Sequence, residues 1–127
     1  MNGSIPPIAY PAIGQMSLYN DGVFICSLSF VWYDAAASSW QGTSKFGEMS
    51  AGETSSGSPG DVGVPDLALV KIYVDVLLGD DNEGSEIFEY NSGSEAVASY
   101  SISGTTLDNS LTYSGISYPT GAPGPEG

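Results

Sequence analysis

Across residues 67–78 an apolar side chain recurs at every second position: Ala68, Val70, Ile72, Val74, Val76 and Leu78 alternate with a mixed set that includes Lys71, Tyr73 and Asp75. A period of two, rich in β-branched residues and free of proline, is the pattern of a strand with one face in a core and the other reaching water. Gly79-Asp80-Asp81-Asn82-Glu83-Gly84 then supplies turn formers, and Glu86-Ile87-Phe88-Glu89-Tyr90 resumes the alternation with Phe88 and Tyr90 as the inward pair. The stretch reads as a β-hairpin and commits the chain to sheets.

The flanking sequence repeats the theme. Residues 13–19 form a short strand with Met16 and Leu18 on one face, and residues 23–33 form a long one with Phe24, Cys26, Leu28, Phe30 and Trp32 toward the core. Between them Asn20-Asp21-Gly22 tolerates the positive φ of tight turns, so a second hairpin is expected there. Residues 34–39 read as a loop, and a short strand is expected around 40–46 with Trp40, Thr43 and Phe46 as anchors. Residues 47–66, dominated by Gly, Ser, Thr, Glu, Asp and Pro, show no period and read as a long irregular connection. Beyond the Asn91-Ser92-Gly93-Ser94 turn, Ala96, Ala98, Tyr100 and Ile102 alternate with polar partners, and Leu107, Leu111 and Tyr113 supply a last strand after a reversal near Ser103-Gly104 or Asp108-Asn109.

About seven short strands without an amphipathic helix between them favour an all-β, antiparallel β-sandwich, with a small β-barrel as the alternative. The domain spans residues 13–117, and 41% apolar residues suffice to close one core. Residues 1–12, with Pro6, Pro7 and Pro11, lack the donors of a central strand and read as an extended arm. Residues 118–127 form a Gly/Pro-rich tail. Met1 is followed by no charged n-region and apolar core of a signal peptide, and no run approaches the ~20 residues of a membrane span. Cytoplasmic synthesis is the expectation, with release by a route that needs no signal peptide left open.

Fifteen carboxylates face only Lys45 and Lys71, with no Arg and no His, for a formal charge of −13. Nucleic acid and anionic membranes are therefore poor partners, because phosphate binding needs cations to release counterions. Such acidity also suits a solvated surface or life in high salt. Catalysis by His-based triads is excluded outright. Cys26 lies in a strand expected to be buried, zinc lacks its customary Cys and His ligands, and phosphoryl transfer lacks Arg and a Gly-rich loop ending in Lys. A pair of carboxylates could run glycoside hydrolysis, but sequence spacing selects no pair, so a non-enzymatic protein is expected.

Two chemistries remain. Calcium prefers carboxylate and carbonyl oxygens, and Asp80, Asn82, Glu83 and Glu86 crowd one turn, although the spacing lacks the full loop of an EF-hand. Sugar recognition needs aromatic faces and neutral or acidic hydrogen-bonding groups, and fourteen aromatics are at hand. The candidates are Tyr33 and Tyr73 off the core face and Trp40 and Tyr118 near loops, with Asp75, Asp81 and Asn82 as partners for hydroxyls. In general architecture, rather than in any motif, a compact acidic sandwich resembles the aegerolysin-like and fungal lectin-like sandwiches. That resemblance implies recognition of carbohydrate or lipid headgroups, yet a shared architecture hosts unrelated functions. The leading expectation is a lectin-like module for a glycan or glycolipid headgroup. The alternative is a structural protein that forms a homo-oligomer or fibre through its terminal arms and strand edges.

Overall fold

The computed structural model describes residues 9–118 as two β-sheets packed face to face. Ten strands are divided between the layers: β1 (Ala12–Ile13), β2 (Gln15–Gly22), β3 (Cys26–Asp34), β4 (Ser39–Gly42), β5 (Thr54–Gly57), β6 (Leu69–Val76), β7 (Asn82–Glu83), β8 (Phe88–Tyr90), β9 (Val97–Thr105) and β10 (Asp108–Ser117). One sheet runs β1-β8-β6-β3-β4 with β7 paired to β6, and the other runs β10-β9-β2-β5. A 3₁₀ turn, Pro59–Val62, is the one helical element among the described residues. The expected all-β sandwich is what forms, as two open sheets rather than a barrel.

Period-two patterning explains the layers. In β6 Val70, Ile72, Val74 and Val76 are buried and meet Cys26, Leu28 and Phe30 of β3, while Ala96, Ala98, Tyr100 and Ile102 with Met16 and Leu18 close the core from the other sheet. Each fully buried aliphatic or aromatic side chain contributes roughly 1.5–3 kcal/mol relative to exposure, so these alternating runs dominate the stability. Phe88 and Tyr90 also point inward, and β8 lies antiparallel to β6 as the hairpin reading requires. The strand stops at Val76, however: Leu77 and Leu78 turn out of the sheet, and β7 intervenes before β8.

The Asn20-Asp21-Gly22 segment is not a hairpin turn. β2 and β3 belong to different sheets, and residues 23–25 carry the chain from one layer to the other. Asn20 is fully buried, and its amide makes the crossing possible. Nδ2 donates to the carbonyls of Phe24 (2.7 Å) and Met49 (3.3 Å), and Oδ1 accepts from Gly22 N–H (2.9 Å). A side chain thus satisfies backbone groups that a hairpin ladder would otherwise take up.

Pairing is also mixed where purely antiparallel sheets were expected. β2 pairs parallel with β9, Gln15 opposite Val97 through Gly22 opposite Gly104, and β1 pairs parallel with β8. Crossing between layers removes the constraint that sequence neighbours must be sheet neighbours.

Residues 34–39 are a tight β3–β4 turn, in which the Asp34 carboxylate accepts from the N–H groups of Ala36 (3.1 Å) and Ala37 (3.4 Å). The expected irregular span at 47–66 contains β5 and the 3₁₀ turn. Before β5 the chain lies along β3 without regular strand geometry: Thr43, Phe46 and Met49 donate N–H to the carbonyls of Phe30, Leu28 and Cys26. The last two strands form a hairpin closed at Thr105 and Asp108, with a bulge between Tyr113 and Gly115, where Gly115 takes φ 108°. Residues 1–8 of the expected arm and 119–127 of the expected tail lie outside the described residues. Tyr118 is described and packs against the core.

A candidate binding face on the larger sheet

Residues opposite one another in a sheet share a face, so the register identifies the surface that the mixed positions of β3 and β6 build. Ser29 pairs with Tyr73, Ser27 with Asp75, Val31 with Lys71, Tyr33 with Trp40 and Tyr73 with Glu83. Their side chains therefore line the outer side of the larger sheet. Both lysines of the chain come to this side.

A groove of about 520 Å³ opens here between the middle of β6 and the segment that follows β4. Ser29, Phe30 and Val31 form its floor, Tyr73 and Asp75 one wall, and Gly42, Thr43, Ser44 and Lys45 the other. The floor is low because Ser27 and Ser29 are small, and both are buried beneath longer neighbours although they face outward. Ser29 Oγ donates to the Tyr73 carbonyl at 3.0 Å. Thr43 holds the far wall, its hydroxyl accepting from Phe30 N–H at 3.1 Å and donating to the Ser44 carbonyl at 2.7 Å. Lys45 Nζ reaches across to Asp75 Oδ2 at 3.3 Å.

Both lysines near the groove are paired, and the Asp81 carboxylate is held by hydrogen bonds. Tyr73 donates its phenol to Asp81 Oδ2 (2.9 Å), while Asp81 Oδ1 accepts from Val76 N–H (2.9 Å), so one carboxylate ties the acidic turn to the end of β6. That hydrogen bond, then burial, then the negative charge of Asp81, Asp75 and Glu83, raise the Tyr73 phenol above its ordinary pKa. Lys71 pairs with Glu83 at 2.6 Å and lies 4.4 Å over the centre of the Trp40 ring, which in turn meets Tyr33 edge-on at 5.6 Å. A cation over an aromatic face is worth about 0.5–1 kcal/mol at such an exposed site. The arrangement gathers aromatic rings, hydroxyls and a paired acid and amine without a net cationic site.

Of the residues expected to bind ligand, Tyr33, Trp40, Tyr73, Asp75 and Asp81 gather on this one face. Asn82 does not: it lies on the inner side of the sheet, and its Nδ2 donates to Asn109 Oδ1 at 2.8 Å. Tyr118 belongs to the other layer, beyond β10. Ser29, Thr43 and Lys45 were missed. The rarity of Lys in this chain is the signal that could have drawn attention to Lys45.

The four residues expected to bind calcium face different partners. Glu83 pairs with Lys71, Glu86 Oε1 accepts from the Tyr100 hydroxyl at 3.0 Å, Asn82 bonds Asn109, and Asp80 is held through its main chain, with N–H to the Thr106 carbonyl and C=O from Asn109 Nδ2. Among the described residues no group of three or more His, Cys, Asp or Glu side chains is placed to hold a metal ion.

At the end of the sandwich beyond Val76, three turns meet. Leu77 N–H donates to Ile25 C=O (2.9 Å), Asp80 N–H to Thr106 C=O (2.9 Å) and Val23 N–H to Gly104 C=O (3.2 Å). These bonds assemble an apex with apolar side chains in solvent: Val23 is 75% exposed, Leu107 71% and Leu78 90%, with Ile25 and Leu77 beside them. Leu78 has φ 59°, a left-handed conformation uncommon for any residue with a Cβ. No helix among the described residues is long and apolar enough to cross a membrane.

The fold and its outer groove define an all-β sandwich with one built concave face. No family model and no curated protein sequence matches the chain. Among solved structures it is similar to listeriolysin O (16% identity, TM-score 0.43, 80% of this chain and 22% of that one). It is similar too to the membrane-binding domain of pneumolysin (16%, TM-score 0.40, 80% and 95%) and to suilysin from Streptococcus suis (13%, TM-score 0.40, 80% and 23%). The chain spans 22% of the length of the first structures it matches.

Proposed function

We propose that this protein is a non-enzymatic recognition module for a neutral, hydroxyl-rich headgroup displayed on an uncharged lipid surface. The observation that carries the reading is the groove walled by Tyr73, Asp75 and Lys45 on a face that also holds the Tyr33–Trp40 pair. Aromatic faces suit the C–H face of a sugar ring, while Ser, Thr, carboxylate and ammonium groups exchange hydrogen bonds with its hydroxyls. The ion pairs already present leave no free cation to select a phosphate.

The apolar apex supports the lipid half of the reading. Asp75, in the groove wall, is two positions from Leu77, so a headgroup in the groove stands close to whatever the apex enters. Burying Val23, Leu78 and Leu107 in acyl chains is worth roughly 5 kcal/mol. The neighbouring Asp21, Asp80 and Asp108, with a net charge of −13, repel anionic headgroups, so the surface is neutral or zwitterionic.

Co-sedimentation with phosphatidylcholine vesicles, with and without a neutral glycolipid, tests this, alongside a soluble-glycan array. Tyr73→Ala is expected to lose array binding and glycolipid-dependent capture. The pair Leu78→Asp and Leu107→Asp is expected to keep array binding and lose vesicle capture. An absence of array hits for the native protein, or full binding by Tyr73→Ala, would sink the groove reading. Unchanged capture of the double variant would remove the apex from it.

A further inference from the structure

The two sheets have four lateral edges, and three of them are blunted. β1 has two residues and follows Pro11, β5 has four residues and follows Glu53, and β4 has four, after which residues 43–49 cover the rest of β3 irregularly. Short strands, prolines, charges and irregular cover are the usual means of preventing edge pairing. β10 is blunted least, by a single charge at its first residue, Asp108, and a bulge between Tyr113 and Gly115. It is the longest strand, it ends its sheet, and no described strand pairs with its outer side.

Its sequence is equally permissive. In a chain with fifteen carboxylates, Asp108–Ser117 carries one, at its first position, and neither Pro nor Lys. The strands behind it present Ser17, Ser99, Ser101 and Ser103 on the same outer face as Ser110 and Thr112, a hydroxyl surface with little charge. Leu111, Tyr113 and Ile116 face the core from β10 but stay only half-buried, because no further strand shields them.

We propose that β10 is the self-association edge of this protein, pairing antiparallel with β10 of a second copy across a two-fold axis to make one continuous eight-stranded sheet. A second copy is the occupant that the charge pattern favours. Ten residues span about 34 Å, so antiparallel pairing puts the two Asp108 carboxylates at opposite ends. Their separation of roughly 30 Å exceeds the screening length of about 8 Å at physiological salt. The like charges of the two bodies still repel, and salt screens that repulsion, so association strengthens as salt rises. This inference does not depend on the groove or the apex.

Sedimentation velocity over a concentration series at low and high salt provides the first reading, with a monomer–dimer equilibrium expected to shift toward dimer at high salt. Thr112→Cys, near the two-fold, is expected to join two copies with a short thiol-to-thiol cross-linker, and Ser56→Cys on the far edge is not; Cys26 is buried and contributes nothing. Thr112→Lys lowers the net charge yet sets two like charges face to face, and is expected to weaken dimerisation about fivefold. A monomer at every salt and concentration overturns the proposal. So does a dimer that cross-links through residue 56 but not 112, or one indifferent to Thr112→Lys.

Discussion

Replacing Asn20 tests whether one buried amide holds the crossing between the sheets. Asn20→Ala removes the bonds to the Phe24 and Met49 carbonyls and from Gly22 N–H. At about 1 kcal/mol for each, the loss comes to about 3 kcal/mol, with more where a carbonyl is left dry. Asn20→Asp is almost the same shape and keeps the acceptor for Gly22 N–H, but sets a carboxylate oxygen against two carbonyls. Burial and that repulsion raise the new carboxyl above the usual value of about 3.9, so the folded variant holds a proton that the unfolded chain releases. Its stability is therefore greatest below the unfolded value and is lost as pH rises through the folded one. Relative to wild type at the same pH, the deficit should be near 1 kcal/mol at about pH 4 and above about 3 kcal/mol at about pH 7. Urea unfolding followed by the fluorescence of Trp32 and Trp40 measures both. With a slope of about 2 kcal/mol per molar urea, Asn20→Ala should lower the midpoint by about 1.5 M. A shift under about 0.5 M, or an Asn20→Asp deficit that does not grow with pH, would refute the role assigned to the amide.

Three further outcomes follow from the packing. A Cβ on Gly14 would run into the Ser94 carbonyl, a backbone atom that cannot rotate away, so Gly14→Ala should cost about 2 kcal/mol or more in the same assay, and a neutral result would mean the β1–β2 corner is loose. Burial, then the bond to Glu86, pushes the Tyr100 phenol well above its ordinary range; stability is complete below about pH 10 and falls as pH climbs past it, and Tyr100→Phe should flatten that decline in urea midpoints taken between about pH 9 and pH 11. An equal slope in the variant would move the alkaline sensitivity elsewhere. Burial pushes the Cys26 thiol up to about 11, so a disulfide reagent should leave native protein untouched and react with one thiol per chain in urea, whereas prompt native labelling would contradict the packing of β3.

The layers were legible because β6 and β9 bury one parity of side chain almost without exception and β3 keeps its large apolar side chains Cys26, Leu28 and Phe30 on one parity, and a period of two needs no tertiary information to be read. The crossing was not legible. Asp-Gly is a strong hairpin signal locally, but whether the chain turns within a sheet or passes to the next depends on where Asn20 finds partners, and one of them, Met49, is far along the chain. β5 was hidden for a related reason: Thr54-Ser55-Ser56-Gly57 has almost no apolar content and becomes a strand by pairing with β2. Tyr33 and Tyr73 were readable as off the core face from alternation, but Trp40 joins them only through its pairing with Tyr33, and the groove itself arises from the irregular stretch around Lys45, which has no period to read. Asn82 went astray because a short turn strand set its parity opposite to that of Glu83.

The parallel union of β2 and β9 also governs the order in which this molecule becomes itself. Gln15 leaves the ribosome well before its partner Val97. Until then one side of β2 has no partner but solvent, and the apolar row of Met16 and Leu18 waits uncovered. Local hairpins at β3–β4 and β6–β8 can close early, but the closing of so long a loop delays the smaller sheet. Nascent chains ending before residue 97 should remain protease-sensitive throughout, and the protein's exposure to misassembly lies in that interval of synthesis.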